Sequence, residues 1–262
     1  MGMAKPLAGE QNLHLSGRGT LAIDLGSTTT VVAFQACNDA RIKLIDLAPI
    51  SRKEGEVPSM LWLDDRNSPS VLVGRQVLES GLGDRDLPQL HRDFKRWIGL
   101  PIPSPWRQLL SPDQAGARLL QEIWKRIPQD LTIERLVLTA PVETGSAYRQ
   151  WLLEACESLQ IPEIALVDEP TAAALGAGLP AGSKLLVVDL GGGTLDLSLV
   201  ALEGGEGRAA PLAQLLRFQS RNLTKSRQTL RQARVLGKAG IALGGRDLDR
   251  WILDALQPQG LP

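Results

Sequence analysis

Residues 187–200 read VVDLGGGTLDLSLV, and residues 21–30 read LAIDLGSTTT. Both stretches place an Asp-Leu-Gly turn after an apolar strand, and a second apolar run follows each turn. A glycine-rich turn lets backbone N–H groups converge on an anion, because no Cβ blocks the approach. One such turn alone is an ordinary hairpin turn, since Asp and Gly are common there. Its repetition in the same strand context favours phosphate binding, with two loops that face one another across a polyphosphate.

Other phosphate-binding patterns are missing from the sequence. There is no G-x-x-x-x-G-K-[ST], and no G-x-G-x-x-G opens a helix after a strand. Hydroxyls beside the glycines add donors for phosphate oxygens, and an aspartate at a strand end can bind Mg²⁺ through water. The sequence therefore favours a magnesium–polyphosphate ligand between the two loops.

Composition is that of an ordinary globular protein, with 43% hydrophobic and 22% charged residues in 262. The net charge of zero gives no global field that would attract nucleic acid or a membrane, so we expect neither as a partner. Two cysteines, Cys37 and Cys156, are too few for a disulfide framework and fit a reducing compartment. No run is long enough to span a membrane and no secretion signal is evident, so we expect a cytoplasmic protein.

Hydrophobic patterns predict a mixed α/β protein in two lobes. We expect a loose tail over residues 1–19, a nearly complete first lobe over 20–182 and a partial second lobe over 183–262, with a hinge at 176–183. Strands are predicted around both Asp-Leu-Gly turns, and helices from about Asp113, over 144–160 and from Glu169, where Pro170 is at the helix start.

Residues 208–238 form a basic insertion in the second lobe, with eight Lys or Arg and no acidic residue. This composition is compatible with an arm for phosphate or for an acidic partner. A solvated helix is the interpretation we favour, because Phe218 is its only aromatic residue and stacking on bases is poorly supported.

In this order along the chain, the motifs resemble the nucleotide-binding domain of the DnaK-type 70-kilodalton heat-shock chaperones, in the actin and sugar-kinase superfamily. Both loops resemble its phosphate loops, and residues 93–99 (DFKRWIG) resemble the segment with its catalytic lysine. Residues 167–176 (VDEPTAAALG) and 243–249 (LGGRDLD) resemble its connecting helix and a lower turn. The resemblance implies an actin-like, ribonuclease H-like fold of mixed sheets flanked by helices.

That resemblance also implies roles for individual residues. Lys95, Glu169 and Asp189 would be catalytic, with Lys95 reaching the γ-phosphate and orienting the attacking water. Magnesium, or a K⁺ ion, would be held mainly through water by Asp24, Asp189, Glu169 and Asp196. Pro141 and Arg149 would form a relay towards the substrate-binding region. The ATP or ADP phosphates would be bound by Gly26, Ser27, Thr28, Gly191, Gly192, Gly193 and Thr194, with Gly244 and Gly245 in the lower turn.

Departures from the family pattern accompany these matches. Leu153 stands where bacterial members typically have a lysine, and Arg246 replaces a usually acidic residue. Relative to the family we expect a C-terminally truncated chain with weak ATP hydrolysis, as a natural truncation or as a piece of a longer protein.

Function is left with three alternatives at this stage. The first is the Mg-dependent ATP-hydrolysing module of a DnaK-like chaperone, whose partners would include a J-domain co-chaperone and a nucleotide exchange factor. The second is a small-molecule kinase of the same superfamily. The third is a non-catalytic remnant or interaction protein, with a filament-forming relative of actin as a weaker variant.

Overall fold

A computed structural model describes residues 17–102, 104–141, 146–180, 182–192, 195–202, 214–218, 221–222, 233–241 and 243–256. The fold is mixed α/β, as the sequence predicts. Its strands are β1 (Gly17–Leu25), β2 (Thr29–Ala36), β3 (Ile42–Leu44), β4 (Glu56–Pro58), β5 (Met60–Trp62), β6 (Leu72–Val73), β7 (Leu90–Arg92), β8 (Leu131–Ala140), β9 (Glu163–Asp168), β10 (Lys184–Leu190), β11 (Leu195–Leu202), β12 (Gln214–Phe218), β13 (Arg221–Asn222) and β14 (Ala233–Ile241). Its helices are α1 (Arg75–Glu79), α2 (Pro112–Trp124), α3 (Ser146–Ala155), α4 (Glu169–Gly176) and α5 (Gly245–Leu256), with 3₁₀ turns at Phe94–Trp97 and Glu157–Leu159.

The first sheet carries the first Asp-Leu-Gly turn and most of the core. Its strand order is β13-β12-β9-β8-β1-β2-β3, with β4 also paired to β2. Strand β1 runs antiparallel to β2 and parallel to β8, and β8 runs parallel to β9. Alternate residues of β1, Leu21, Ile23 and Leu25, are buried in one large cluster with side chains of α2 and α3. This packing fixes the carboxyl ends of β1, β8 and β9 side by side.

Helix α2 shows how local sequence sets an element boundary. The Ser111 hydroxyl accepts a hydrogen bond from the Gln114 N–H and the Gln114 side chain accepts one from the Ser111 N–H, while Pro112 occupies the first helical position. Such a capping box satisfies backbone donors that the first helical turn leaves free. The predicted helix from about Asp113 is confirmed.

Two smaller antiparallel sheets complete the described fold. Strands β6, β5 and β7 form one, and β10, β11 and β14 form the other, which carries the second Asp-Leu-Gly turn. On β10, the side chains of Leu186, Val188 and Leu190 are exposed on one face. Helix α5 presents a further exposed apolar group at Trp251, Ile252 and Leu253. This part of the protein therefore keeps much apolar surface in contact with solvent.

The structure differs from the sequence prediction at several boundaries. Strand β1 begins at Gly17, inside the predicted tail, because the Gly17 N–H bonds to the Asp130 carbonyl oxygen. The helix predicted over 144–160 ends at Ala155, and its last part is the 3₁₀ turn. Residues 1–16 of the predicted tail lie outside the described residues.

The helical interpretation of the basic insertion 208–238 is wrong where the structure describes it. Residues 214–218, 221–222 and 233–238 are strands, and β12 pairs antiparallel with β9 of the first sheet. Pairing with existing strand edges supplies backbone hydrogen bonds that a basic side-chain composition does not reveal. The rest of the insertion lies outside the described residues, and the division into lobes at 182 stays a prediction.

Across the described ranges, no helix combines the length and the apolar character needed to cross a lipid bilayer.

Candidate functional site

The first loop is a tight turn between β1 and β2. A Cβ on Gly26 would overlap the Thr29 carbonyl oxygen, so only glycine fits this turn. The Ser59 hydroxyl donates a hydrogen bond to the Gly26 carbonyl oxygen at 2.8 Å and also contacts the Thr30 hydroxyl at 2.9 Å. These two contacts of Ser59 hold the loop in place. Ser27 of the same loop lines the neighbouring cavity.

The second loop faces the first one directly. Gly192 lies against the Thr28 side chain with no room for a Cβ between them. From the other side, Gly245 N–H donates to the Gly191 carbonyl oxygen at 3.0 Å and Arg246 N–H to the Gly192 carbonyl oxygen at 3.2 Å. Gly244 N–H in turn donates to the Asp247 carboxylate at 2.8 Å. The structure thus brings both loops and the 244–247 turn together, whereas Gly193 and Thr194 lie outside the described residues.

A cavity of about 770 Å³ opens beside the loops. Its walls come from the loop after β1, the 3₁₀ turn that carries Lys95, helices α3 and α4, and strands β10, β11 and β14. Nine of the lining residues have polar or charged side chains: Ser27, Lys95, Arg96, Tyr148, Glu169, Asp189, Asp196, Ser198 and Lys238. This volume is in the range of small-molecule sites, which are concave and hold a few convergent polar groups.

Lys95 and Glu169 form the central ion pair of the cavity. Lys95 Nζ donates to Glu169 Oε1 at 2.6 Å, and the two side chains are only 10% and 20% exposed. Lys95 lies in the 3₁₀ turn after β7, and Glu169 opens α4 directly after β9. Burial raises the pKa of the Glu169 carboxyl, the Lys95 charge opposes this rise, and the charges of Asp24 and Asp189 add to it. Two of the predicted carboxylates are therefore close enough to act on Glu169.

The aspartates at the strand ends occupy defined places. The Thr139 hydroxyl, at the end of the neighbouring strand β8, donates a hydrogen bond to Asp24. Asp189 and Asp196 are direct cross-strand partners in β10 and β11, and Gly240 of β14 leaves no space for a Cβ beside Asp196. Like charges opposite one another destabilise a sheet unless a cation offsets them. A cation beside Asp189 and Asp196 would offset this repulsion.

Within the described ranges, the side chains offer a metal ion fewer than three protein ligands. No group of three carboxylate, histidine or cysteine side chains in the described ranges converges closely enough to ligate one ion. Mg²⁺ keeps several waters and is usually bound through one or two carboxylates together with substrate phosphates. The assignment of Asp24, Asp189, Glu169 and Asp196 to a hydrated magnesium ion stays a prediction from the resemblance.

An ion pair connects the lysine segment to the turn beneath the second loop. Asp93, whose backbone is left-handed at φ 60°, directly precedes the 3₁₀ turn that carries Lys95. Its carboxylate pairs with the Arg246 guanidinium at the start of α5. Arg246 is the residue that departs from the family pattern, and its guanidinium forms this ion pair with a carboxylate that precedes Lys95 by two residues.

Several residues at the site escaped sequence reasoning. Thr139 could have been found from its position, because parallel strands β1 and β8 end at the same edge and Ile23 is paired with Leu138. Tyr148 and Gly240 give no sequence signal, since their places depend on packing between distant segments. Pro141 lines the cavity, and the Arg149 charge lowers the pKa of Asp168 against the stronger effect of burial, which raises it.

Residues 97–209 match the family model described as Hsp70 protein. The chain is 27% identical to a Chaperone protein HscA homolog of Shewanella sediminis over 72% of the chain and 33% of that protein. It is 36% identical to the homolog of Shewanella denitrificans, again over 72% of the chain and 33% of the relative. Heat shock 70 kDa protein 13 of Homo sapiens is 28% identical over 75% of the chain and 46% of its own length.

The chain thus spans about a third of the length of the HscA relatives. The matched region contains the second loop, Glu169 and the strands and helices between them. The family model and the relatives agree, and the chain belongs to the Hsp70 family.

Proposed function

We propose that this chain is the ATP-binding, Mg-dependent ATP-hydrolysing module of a DnaK- or HscA-like chaperone, with an actin-like arrangement of two lobes around the cavity. The observation that carries the proposal is the Lys95–Glu169 pair beside two glycine loops that touch at Thr28 and Gly192. Phosphoryl transfer depends on positioning and on charge stabilisation rather than on covalent chemistry from the protein. This chemistry needs a cationic side chain near the phosphate, carboxylates that can hold the magnesium ion, and loops with backbone N–H groups that contact the phosphates.

Each residue has a defined task in this proposal. The two loops direct backbone N–H groups and the Ser27 and Thr28 hydroxyls towards the β- and γ-phosphates. Lys95 shares its ammonium group between Glu169 and the γ-phosphate, where it stabilises developing charge and orients the attacking water. Mg²⁺, when bound, neutralises phosphate charge, and Asp24 and Asp189 would hold its water shell.

The base of the nucleotide receives little recognition from this part of the protein. Tyr148 is the one aromatic residue among those that line the described cavity, and it is buried. Stacking on an aromatic side chain contributes about 1–3 kcal/mol per base. We therefore expect weak affinity and similar dissociation constants for Mg-ATP and Mg-GTP.

The partners implied by family membership and the location both belong to the proposal. A J-domain co-chaperone would stimulate hydrolysis and a nucleotide exchange factor would release ADP. The protein would work in the cytoplasm, which its two scattered cysteines fit.

Calorimetric titration with Mg-ATP, followed by single-turnover hydrolysis, tests the proposal. We expect binding by the wild-type chain and slow phosphate release that added sugars or carboxylic acids do not accelerate. Lys95→Ala should bind Mg-ATP within about threefold of wild type and hydrolyse it about 10²–10³-fold more slowly, since the lysine acts mainly in the transition state. Absence of Mg-ATP binding would refute the proposal, and transfer of the γ-phosphate to an added acceptor would support the kinase alternative instead.

A further inference from the structure

Tyr148 is a buried tyrosine whose hydroxyl group has no protein partner. It is the single tyrosine of the sequence and lies in the first turn of α3. The residue is 5% exposed, and its hydroxyl oxygen is buried without a hydrogen-bond partner among the described residues. Buried tyrosine hydroxyls normally bond to something, because an unsatisfied polar group is costly in the interior. A hydroxyl left in this state at a cavity points to a ligand or to bound water.

The surroundings of this hydroxyl are those of the nucleotide site. Tyr148 lines the same cavity as Lys95 and Glu169. Burial raises the pKa of the phenol, and the nearby charges of Glu169 and Asp24 raise it further. The hydroxyl therefore stays protonated at neutral pH and can donate one hydrogen bond. It makes no direct bond to Glu169, whose Oε1 accepts from Lys95 at 2.6 Å.

The ring of Tyr148 is held by contacts that also fix the lysine segment. It packs on Trp151 with the ring centroids 5.2 Å apart, and Trp151 Nε1 donates to the Asp113 carbonyl oxygen at 2.9 Å. The Asp113 carboxylate accepts a hydrogen bond from Gly99 N–H, also at 2.9 Å. Gly99, at φ 71°, lies against the backbone of Tyr148 with no room for a Cβ. The hydroxyl and Lys95 are thus positioned by one set of packed residues, which is how a preorganised site is built.

We propose that Tyr148 is a positioning residue of the nucleotide site, and that its hydroxyl donates a hydrogen bond to water held by the Glu169 carboxylate. This inference rests on the proposed function and adds a group that the family resemblance did not supply. The carboxylate oxygens accept from water, and the fixed phenol restricts where that water can lie. In the transition state, water ordered in this way keeps Glu169 and Lys95 aligned on the phosphate. In the ground state it contributes little to nucleotide affinity.

Removal of the hydroxyl in the full chain tests the inference. We expect Tyr148→Phe to bind Mg-ATP within about twofold of wild type and to hydrolyse it about 3- to 10-fold more slowly in single turnover, the range for loss of one hydrogen bond between neutral groups. Ser146→Ala is the matched control, because it removes an exposed hydroxyl from the same helix turn. It should leave both quantities unchanged.

A second measurement does not depend on the variant or on turnover. With tyrosine labelled by ¹³C at Cζ, the wild-type chain gives one signal, since Tyr148 is its single tyrosine. That signal should shift on addition of Mg-ATP and stay in place with Mg²⁺ alone. If wild type binds Mg-ATP and neither the signal nor the Tyr148→Phe rate changes, the inference is overturned while the proposed function stands. If wild type binds no Mg-ATP, both are overturned.

Discussion

Acid should destabilise the fold through His91, which lies in β7 just before the lysine segment. The side chain is 1% exposed, and its Nε2 atom has no hydrogen-bond partner in the described part of the chain. Burial lowers the pKa of His91 from 6.5 to about 4. As the pH falls below 6.5, the His91 imidazole therefore becomes protonated in the unfolded chain while it stays neutral in the folded chain. Stability is fully present above pH 6.5 and is lost progressively as the pH falls towards 4.

The size of this effect follows from proton linkage. At pH 5.0, a pKa of 6.5 in the unfolded chain and about 4 in the folded chain give a loss of about 2 kcal/mol relative to pH 7.5. The full loss below both pKa values would be about 3.4 kcal/mol, a large share of the stability of a typical domain.

Urea unfolding followed by tryptophan fluorescence at pH 7.5, 6.0 and 5.0 measures this loss. His91→Leu is the comparison variant, because it places an apolar side chain of similar size opposite Leu61 and has no group that titrates in this pH range. Carboxylates titrate alike in both proteins, so the difference between their pH profiles reports on His91. Parallel profiles from pH 7.5 to 5.0 would refute the reasoning.

Three further predictions concern the site. Lys95→Met should lower the free energy of unfolding at pH 7.5 by about 1–3 kcal/mol. Part of this loss should be recovered as the pH falls, because the pKa of Glu169 is raised in the folded protein and protonation therefore favours the folded state. Urea unfolding measures both effects, and the Lys95→Arg control should show neither. Gly192→Ala should weaken Mg-ATP binding about 10-fold by displacing the facing Thr28 side chain, and a calorimetric constant equal to wild type would contradict the contact. Arg246→Asp should unfold at lower urea by about 1 kcal/mol, and reversal of Asp93 to Arg in the same chain should recover most of this loss; no recovery would disprove the pairing.

The sequence was most informative where backbone chemistry determines structure. Asp-Leu-Gly turns between apolar strands predicted both loops, because glycine permits turns that other residues cannot form. The place of Lys95 beside Glu169, 74 positions away, came from the family resemblance, since no local pattern encodes such a distance. Strand β12 was missed because its pairing with β9 is a tertiary interaction. Tyr148 was missed for the same reason: burial of a hydroxyl depends on segments from three parts of the chain.

The return of β12 to the first sheet has a topological consequence. After β9 the chain leaves this sheet for β10 and β11, comes back as β12 at the edge of β9, and leaves again for β14. Three covalent crossings therefore join the two sheets rather than one. The pairing of β12 with β9 therefore connects the sheet of β10, β11 and β14 to the first sheet a second time, in addition to the connection from β9 to β10. A polypeptide cut between the sheets at residue 182 would separate β12 from its partner, and the amino-terminal piece would expose the backbone edge of β9 to pairing with other chains.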